Sequence, residues 1–448
     1  MKKIWMRRNG IRKYIVAMRI VSLLIFLSSC TINSGGQNAY HLDNKGVTGD
    51  AVSLGEDRFV MCGETAKYAD RSKGNTQKDG FVAFGKFGHE SFETYGMGDG
   101  EHDFRWEKLG LAANHIILSG YGFKDKQAII SCYSKEMESF WSYISDSLKG
   151  IEEPSMITDP SGSILMAHRN PAVSPYDAYL TFIDPTGAIK WTRIVRLVDD
   201  MTELITLSNG SFLMHYLQKG AYIDAETRKK YFILPVLFFS AQGTITSQFH
   251  FHADRAKFSE ISIHKVLSSD QGYLYFLGSV ETIAKRKDLL ILKSDLEGRI
   301  LWSYTYKTDQ HFDIKTAVAD SKGGLVFVAD AYGHSGGMMC AAVSPDGDIK
   351  WNNLIPSTPY EQVIDMVAGK ENYEIFYDKI LNFGILKTNN DGLSCLGPVS
   401  KMNITREDAE IVTISSNTLA EPGKSTWRKI NIQVKKSGKI KALSDCKK

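Results

Sequence analysis

The chain has 448 residues and a formal net charge of +3, but its basic residues are unevenly placed. Positions 1–29 hold seven Lys/Arg and no Asp/Glu, so the remaining chain carries 47 basic and 51 acidic residues, a net charge of −4. The apparent basicity therefore belongs to the N-terminus. This distribution argues against a nucleic-acid partner, which would require a basic face on the folded domain.

The first predicted element is an export signal over residues 1–29. Its basic start is followed by the apolar run 20–27, which is shorter than the roughly 20 residues that a membrane span needs. Small residues then precede Cys30, an order that is typical of a secretory signal. A plain signal peptide followed by an incidental Cys is one interpretation of this segment.

The letters "LSSC" at 27–30 resemble the lipobox of bacterial lipoproteins. That resemblance implies that Cys30 is acylated, with palmitate among its fatty acids, and becomes the mature N-terminus. We therefore expect a lipid-anchored protein of the cell envelope. Thr31 is not the acidic residue associated with inner-membrane retention, which favours the outer membrane. Residues 30–47 are expected to form a linker with a possible closing strand, "NAYHLDNKG" at 38–46.

Five cysteines follow Cys30, and the odd number leaves at least one without a partner in the same chain. An exported protein meets an oxidising compartment, so Cys395 and Cys446 could form a disulfide. Buried thiols in strands are the other interpretation for most of the five. No metal-type spacing of cysteines occurs in the sequence.

A repeat of about 50 residues fills residues 48–448. Each unit contains strand-like runs rich in Val, Ile, Leu, Tyr and Phe, separated by turns, which predicts an all-β fold. Seven units share a turn glycine, and Met137 marks the same place in an eighth. The turn glycines are Gly88, Gly187, Gly243, Gly298, Gly347, Gly392 and Gly438. Four-stranded repeats of this length predict a β-propeller, with eight blades expected and seven as the alternative.

An aromatic residue follows several of these turns at a fixed distance, as in "DLEGRILW". Trp191, Trp302 and Trp351 follow Gly187, Gly298 and Gly347, and these six residues are predicted to be structural. Since a large flat side chain can fill the seam between two blades, we expect each Trp to pack there. Trp141 and Phe249 are expected to take this place in two further units.

The "GxxxW" spacing resembles the tryptophan-docking motif of eight-bladed quinoprotein-type propellers, a broad group that includes a cofactor-free outer-membrane assembly lipoprotein. The longer pattern "DSKGGLVFVADAYG…SPDGDIKW" looks like the tandem propeller repeats of secreted and surface bacterial proteins. The quinoprotein enzymes carry adjacent cysteines near their cofactor, and no Cys-Cys occurs in this sequence. We therefore expect no cofactor, no metal and no catalytic residue.

Long connections of variable length are predicted on one face of the propeller, and binding usually occurs on such loops. On this face each first strand is preceded or opened by an acidic residue. The seven acidic residues are Asp103, Glu153, Glu203, Glu260, Asp313, Glu361 and Asp408, with Asp50 as an approximate eighth. A ring of carboxylates at the channel mouth could hold a cation or a basic partner. The structural interpretation is that each carboxylate accepts hydrogen bonds from backbone N–H groups where blades meet.

Three functions are compatible with these features. The leading one is a monomeric, non-catalytic binding or scaffold module for a protein or a glycan on the long-loop face. The second is an outer-membrane assembly factor. The third is a polysaccharide lyase or hydrolase, in which His102, His311 or His252 would join the acidic ring as acid or base. His250, His252 and Asp254 could also give a two-histidine metal contact, because residues i and i+2 of a strand share a side.

Overall fold

Every element that the structure describes is a β-strand. The structure is a computed structural model that describes residues 39–444 apart from 43–45, 56–57, 66–78, 87–90, 99–103, 113, 123–126, 146–151, 160, 171–173, 208, 219, 321, 333–336, 357–360, 370–371, 380–381, 394–399, 416–419, 423–426 and 430–431. The export signal, Cys30, Gly88, His102, Asp103, Cys395 and Cys446 lie outside the described residues.

The strands follow one another through the whole described chain. The first group is β1 (Ala39–Leu42), β2 (Gly46–Gly55), β3 (Arg58–Thr65), β4 (Asp79–Lys86), β5 (Ser91–Gly98), β6 (Phe104–Ala112), β7 (His115–Gly122), β8 (Gln127–Ser134), β9 (Ser139–Ser145), β10 (Glu152–Thr158), β11 (Ile164–Asn170), β12 (Ser174–Ile183) and β13 (Ile189–Val195). The second is β14 (Val198–Thr206), β15 (Phe212–Gln218), β16 (Tyr222–Ile223), β17 (Lys230–Phe239), β18 (Ile245–Asp254), β19 (Phe258–Ser268), β20 (Tyr273–Thr282), β21 (Lys287–Asp295) and β22 (Ile300–Lys307). The third is β23 (His311–Ala319), β24 (Leu325–Tyr332), β25 (Gly337–Val343), β26 (Ile349–Pro356), β27 (Glu361–Ala368), β28 (Asn372–Lys379), β29 (Asn382–Asn389), β30 (Thr405–Asp408), β31 (Val412–Ser415), β32 (Ala420–Pro422), β33 (Trp427–Lys429) and β34 (Gln433–Ser444).

These strands form six antiparallel sheets, and the protein is an all-β propeller. The sheet orders are β6-β7-β8-β9-β33, β10-β11-β12-β13-β32, β14-β15-β17-β18-β31, β19-β20-β21-β22-β30, β23-β24-β25-β26 and β2-β3-β4-β5-β34-β1-β29-β28-β27. The second and third strands of a sheet are buried on both faces, as β20 and β21 show, because a neighbouring sheet covers each side. This explains why they read as nearly continuous apolar runs.

Seven inner strands surround the central channel, although the sheets number six. The inner strands are β2, β6, β10, β14, β19, β23 and β27, and each contacts the next around a closed ring. Two of them, β2 and β27, stand at opposite ends of the nine-stranded sheet. The strands β34 and β1 lie in the middle of that sheet, where β34 pairs with β5 and β1 pairs with β29. The two ends of the chain therefore close the ring.

The C-terminal segment 400–444, here called the outer belt, runs around the outside of the ring. Its strands β30, β31, β32, β33 and β34 each add a fifth strand to a different sheet, on β22, β18, β13, β9 and β5. Ser400 pairs with Leu354 of a sixth sheet. Between these strands, apolar residues enter the seams between sheets: Ala409 and Ile411 are buried in one seam and Ile432 in another.

The expected eight blades, with seven as the alternative, are not seen as separate sheets. Gly438 does not mark a turn: it lies within β34, where the register with β5 shifts between Lys436 and Gly438. The last repeat therefore forms no sheet of its own, and its strands extend earlier sheets instead. Because β34 and β1 join the four strands β2, β3, β4 and β5 to the three strands β27, β28 and β29, six sheets result.

The turn glycines and aromatic residues meet across the seams between sheets. Gly187, Gly298 and Gly347 all have φ near +86°, which glycine adopts without a steric penalty. The ring of Trp191 lies against Gly243, and its Nε1 donates to the carbonyl of Ala241, 2.8 Å away. Three further contacts of this kind join Trp141 to Gly187, Phe249 to Gly298 and Trp351 to Gly392. Trp302 instead donates to the carbonyl of Pro345, while Tyr304 packs on Gly347.

Candidate functional site

A β-bulge interrupts each of the seven inner strands near the middle of the channel. The register with the second strand shifts between Thr48 and Asp50 in β2, and the other six inner strands shift in the same way. Those shifts are Trp106/Lys108, Glu152/Ser155, Met201/Glu203, Ile263/Lys265, Ile314/Thr316 and Val363/Asp365. A bulge changes the direction of the side chains next to it. In β2, β6, β19 and β27 the bulged residue and the one after it line the same space: these pairs are Gly49 and Asp50, Glu107 and Lys108, His264 and Lys265, and Ile364 and Asp365.

That space is a central cavity of about 480 Å³. Its lining includes eight ionisable side chains and a smaller apolar part. The ionisable residues are Asp50, Glu107, Lys108, Glu203, His264, Lys265, Lys315 and Asp365. The volume lies in the range of small-molecule sites, about 300–1,000 Å³. The inner strands thus build a polar chamber of ligand size on the axis of the propeller.

Three carboxylates of the cavity connect adjacent inner strands. Asp50 Oδ2 accepts the backbone N–H of Leu109 at 2.9 Å, and Glu203 Oε2 accepts that of Val266 at 2.6 Å. The hydroxyl of Thr316 donates to Asp365 Oδ1 at 2.6 Å. Each bond crosses from one sheet to the next. For Asp50 and Glu203 the geometry is the backbone contact that the structural interpretation of the acidic residues describes.

Two lysines interact electrostatically with these carboxylates. Lys265 Nζ lies 2.7 Å from Glu203 Oε1. Burial lowers the pKa of Lys265, but Glu203 and Asp365 outweigh burial and hold it above the ordinary lysine value. The charge of Asp50 likewise raises the pKa of Lys108. Both lysines are therefore cations at neutral pH.

Asp50 is the carboxyl group whose protonation is most affected by the cavity. Burial raises its pKa to about 6, Lys108 opposes the rise, and the negative charge of Asp365 adds to it. Two carboxylates on adjacent strands β27 and β2 thus compete for the same cation.

The structure describes the side chains of four of the seven expected acidic residues, and one of these four lies in the cavity. Glu203 lines it, whereas Glu260 is exposed and Asp313 is buried against Lys287, 2.6 Å away. Asp408 lies in β30, paired with Tyr304 on the outer edge of a sheet, so placing it at the channel was wrong. Its segment begins no inner strand because it belongs to the outer belt. Glu153 and Glu361 fall in β10 and β27, but their side chains lie outside the described residues, as does all of Asp103.

Sequence reasoning missed most of the cavity because it placed acidic residues at the start of each first strand. Most of the side chains that line the cavity lie two to five residues beyond those acidic residues, at or next to the bulges. The signal was present in pairs of polar residues inside apolar strands, such as "EKL" at Glu107–Lys108 and "HKV" at His264–Lys265. A polar pair that breaks the alternation of a strand is the expected mark of a bulge that faces a channel.

Of the histidines considered for catalysis, His311 and His252 do not line the cavity, and His102 lies outside the described residues. His311 is exposed at the start of β23, and His252 is buried in β18, the fourth strand of its sheet. His250 and His252 do lie on one side of β18, with ring centroids 6.2 Å apart. Within the described residues no group of three or more His, Cys, Asp or Glu is placed to hold a metal ion. His264, which does line the cavity, lies 3.2 Å from the hydroxyl of Ser262.

A second feature lies on the face where the inner strands begin. The connection from β15 to β17 carries the short strand β16, which pairs with β17 through Tyr222–Tyr231 and Ile223–Lys230. Asp224 closes the tip by accepting the N–H groups of Glu226 and Thr227. This first hairpin is an extension beyond the four strands of its sheet.

A second hairpin stands beside the first, between β20 and β21. Arg255 joins the first hairpin to the sheet: its N–H donates to the carbonyl of Lys230, and its guanidinium donates to that of Gly220. Two residues later, the carbonyl of Lys257 accepts the N–H of Ile283 in the second hairpin. The three residues 255–257 therefore separate the two hairpins, a distance of at most about 10 Å.

These two hairpins and residues 255–257 form what we call the hairpin surface. Ile223 is 51% exposed and Ile283 is 55% exposed, so each hairpin presents an apolar side chain to solvent. Arg228 and Lys230 are exposed beside Ile223, and neither forms an ion pair within the described residues. Lys285 and Arg286 flank Ile283 but are paired with acidic neighbours. The surface combines two exposed apolar side chains with cations.

The described cysteines are buried inside the sheets. Cys62, Cys132 and Cys340 are free thiols buried in strands, as the second interpretation of the cysteines expects. Burial raises the pKa of Cys132 to about 11 and of Cys340 to about 12, so neither is a nucleophile at neutral pH. No described helix is long and apolar enough to cross a membrane.

Comparison with known proteins assigns no family to the chain. No protein-family model matches it, and no curated protein matches it. Among solved structures, the β-propeller domain of the Trilobed protease from Pyrococcus furiosus is 9% identical, covers 83% of this chain and 98% of its own, and gives a TM-score of 0.44. The Nup133 β-propeller domain from Vanderwaltozyma polyspora is 12% identical, covers 76% and 100%, and gives 0.37. At these scores neither likeness carries an argument about function.

Proposed function

We propose that this protein is a lipid-anchored β-propeller of the cell envelope that binds a protein or glycan partner without catalysing a reaction. Its propeller fold is consistent with a binding or scaffold module. The anchor would be the lipid on Cys30, with the outer membrane as the location. The partner would bind the face on which the inner strands begin. The single observation that carries this proposal is the hairpin surface.

The hairpin surface has the composition of a binding site rather than of an ordinary solvated loop. Hydrophobic side chains on rigid elements supply contact area at low entropic cost, and Arg is enriched where partners bind. Ile223 and Ile283 are held by backbone hydrogen bonds on both hairpins, so little order is lost when a partner covers them. Arg228 and Lys230 would add charge contacts at the rim.

The alternative functions have less support from the described residues. A lyase or hydrolase would need His102, His311 or His252 beside the acidic residues. Neither His311 nor His252 lines the cavity that holds Glu203, and His102 lies outside the described residues. An assembly role in the outer membrane uses the same kind of binding surface. It differs from the leading proposal only in the identity of the partner.

The partner is tested by site-specific photo-crosslinking in cells. A photoreactive amino acid replaces Ile223 or Ile283, and the controls replace Phe140 or Leu301. The controls are 53% and 41% exposed and lie at the opposite end of their sheets, beside the turns that precede β9 and β22. We expect one discrete crosslinked species from the first pair and none from the second. Equal crosslinking from all four sites would contradict the proposed surface, and capture of outer-membrane insertion machinery would identify an assembly factor.

The anchor is tested separately. Cells expressing the full chain are labelled with an alkyne fatty acid, and a Cys30→Ser variant serves as the control. We expect label and membrane association in the first and neither in the second. Label that persists in the Cys30→Ser variant would disprove acylation at this residue.

A further inference from the structure

One side of the first hairpin faces the second hairpin, and strand alternation shows which side chains it carries. Phe232 of β17 packs against an apolar core that includes residues of β20 and β21. Lys230 lies two residues before Phe232, and Ile223 is the cross-strand partner of Lys230, so all three side chains lie on one side. Ile223 and Lys230 therefore face the second hairpin, which carries Ile283.

Residues 255–257 form the floor between the two hairpins, and we call the space above them the hairpin cleft. Arg255 enters this cleft, since its guanidinium carbon lies 4.3 Å from the centre of the Phe232 ring. The guanidinium also donates to the carbonyl of Gly220, 2.7 Å away. Both partners are neutral, and within the described residues Arg255 has no ion pair. Its positive charge is therefore not compensated by the protein.

Other charged side chains around the cleft are already paired. Lys257 forms an ion pair with Glu410 of the outer belt. Arg286 of the second hairpin lies 2.8 Å from the buried carboxylate of Asp288. Because each of these pairs is neutral as a whole, neither offsets the charge of the two remaining cations.

The acidic residues of the first hairpin do not offset that charge from within the cleft. Asp224 is next to Ile223 in the chain and bonds to the carbonyl of Lys229 through its N–H at 3.0 Å, so by alternation it lies on the side away from the cleft. Glu226 is exposed in the turn at the tip of the hairpin. The cleft therefore has a local excess of positive charge, from Lys230 and Arg255.

The apolar lining of the cleft fits a protein segment better than a sugar. Ile223 and Ile283 are aliphatic, whereas sugar rings stack on aromatic side chains. The aromatic pair of the first hairpin, Tyr222 and Tyr231, lies on its opposite side, with both rings against His252. An anionic protein segment would match both features, because its carboxylates would meet the cations and its apolar side chains would meet the isoleucines.

We propose that the hairpin cleft binds an acidic segment of a partner protein, with carboxylates at Lys230 and Arg255 and apolar side chains at Ile223 and Ile283. This inference rests on the proposed partner-binding function. It assigns the partner of the hairpin surface to proteins rather than glycans, and it gives the chemistry of the segment that binds.

The test uses the full chain in cells, with a photoreactive amino acid at Ile283 combined with Lys230→Gln, Arg255→Gln or Lys229→Gln. Lys229 is the matched control, because it is also exposed but lies beside Asp254, 3.8 Å away, on the other side of the hairpin. We expect the crosslinked yield to fall about threefold or more in Lys230→Gln and about tenfold in Arg255→Gln, which removes a charge able to bind a carboxylate through two N–H groups. Lys229→Gln should leave the yield unchanged. If Arg255→Gln loosens the first hairpin, Lys230→Gln decides.

Mass spectrometry of the crosslinked species then identifies the partner segment. We expect Asp or Glu within about three residues of the crosslinked position, because the floor of the cleft spans at most about 10 Å. A segment without carboxylates, a glycan, or equal yields from Lys230→Gln and Lys229→Gln would overturn this inference and leave partner binding intact. A phospholipid adduct, or no crosslinked species from Ile283 in the parent chain, would overturn both proposals.

Discussion

Neighbouring sheets of this propeller are joined at both their inner and their outer edges, and the two edges use different chemistry. At the inner ring, carboxylates of Asp50 and Glu203 accept backbone N–H groups from the next sheet. At the outer belt, Ile411 and Ile432 fill the seams with apolar side chains, while the strands of the belt pair with the sheets. The inner edge is thus held by hydrogen bonds made directly between neighbouring sheets, whereas at the outer edge a separate segment pairs with the sheets and fills the seams.

The difference has a physical reason in the space available at each edge. The inner strands converge on a narrow channel, where a few polar groups can reach several strands and also remain near water. The outer edges diverge, and side chains such as Trp191 and Trp302 reach the next sheet only at its turn, so a gap remains along the rest of the seam. A separate segment must fill the gap, and it also covers outer edges that would otherwise invite pairing with other chains.

The largest expected effect comes from removing the outer belt. A chain that ends at residue 399 would lose the fifth strand of five sheets and the β34 link between β5 and β1. We expect it to lose cooperative unfolding and to aggregate, because the ring cannot close and its outer edges are exposed. Circular dichroism melts and size-exclusion chromatography measure both effects.

The control for the truncated chain is a separate peptide with the sequence of the removed segment. A peptide of residues 400–448 added in excess should restore a cooperative melt if the belt acts by pairing. A truncated chain that melts like the full chain without the peptide would show that the inner ring alone is sufficient.

A smaller effect is expected from a single apolar residue of the belt. Ile411 is 6% exposed in a seam, whereas the adjacent Val412 is 48% exposed. Ile411→Ala should lower the free energy of unfolding by about 2–5 kcal/mol, the usual cost of emptying a buried aliphatic site. Val412→Ala should change it by less than about 0.5 kcal/mol. Urea titration of both variants makes the measurement, and equal effects would mean that the belt does not hold the seam through Ile411.

The sequence could predict the repeated part of this fold but not the belt. Strand–turn–strand units with a turn glycine identify the sheets, and contacts such as Trp191 on Gly243 agree with the expected seam. The strands of the belt are three or four residues long, except for β34, and carry little apolar periodicity. Their positions depend on which outer edges remain free, which is a property of the assembled ring. Gly438 was therefore mistaken for a turn of one more blade.

The candidate site, like the belt, could be predicted from the sequence only in part. Acidic residues near strand starts are visible in the sequence, and Glu203 does line the cavity. The partners of Glu203 are Lys265 and Val266, about 60 residues away on the next inner strand. The bulge that brings these groups together is a change of register between two strands. Spacing within one strand does not reveal it.

An intermediate effect is expected at the inner ring, where a charge pair can be compared with one on the belt. Glu203 and Lys265 are 18% and 23% exposed, whereas Glu407 of the belt is 51% exposed beside Lys307. Glu203→Gln should lower the free energy of unfolding by about 1–3 kcal/mol, because it leaves Lys265 partly buried without its nearest anion. Glu407→Gln should leave stability unchanged within error, as is usual for exposed pairs. Denaturant titrations at neutral pH compare them, and a reversed order would assign the stabilising charges to the belt.

The smallest effect on stability at neutral pH is expected from His168, which lies in a sheet between the inner ring and the outer belt. This side chain is fully buried in β11 and stacked on Tyr179, and burial lowers its pKa to about 3. In the unfolded chain His168 gains a proton near pH 6.5, while in the folded protein it does not, so stability is complete above pH 6.5 and falls as the pH drops below it.

His168→Phe should remove about 1.4 kcal/mol of this loss of stability per pH unit between pH 6 and 4. The exposed His311→Phe variant is the control, and denaturant titrations across this range should show a flatter pH dependence for His168→Phe alone. An unchanged slope would mean that His168 gains a proton in the folded protein, and hence that water reaches the middle of the sheet.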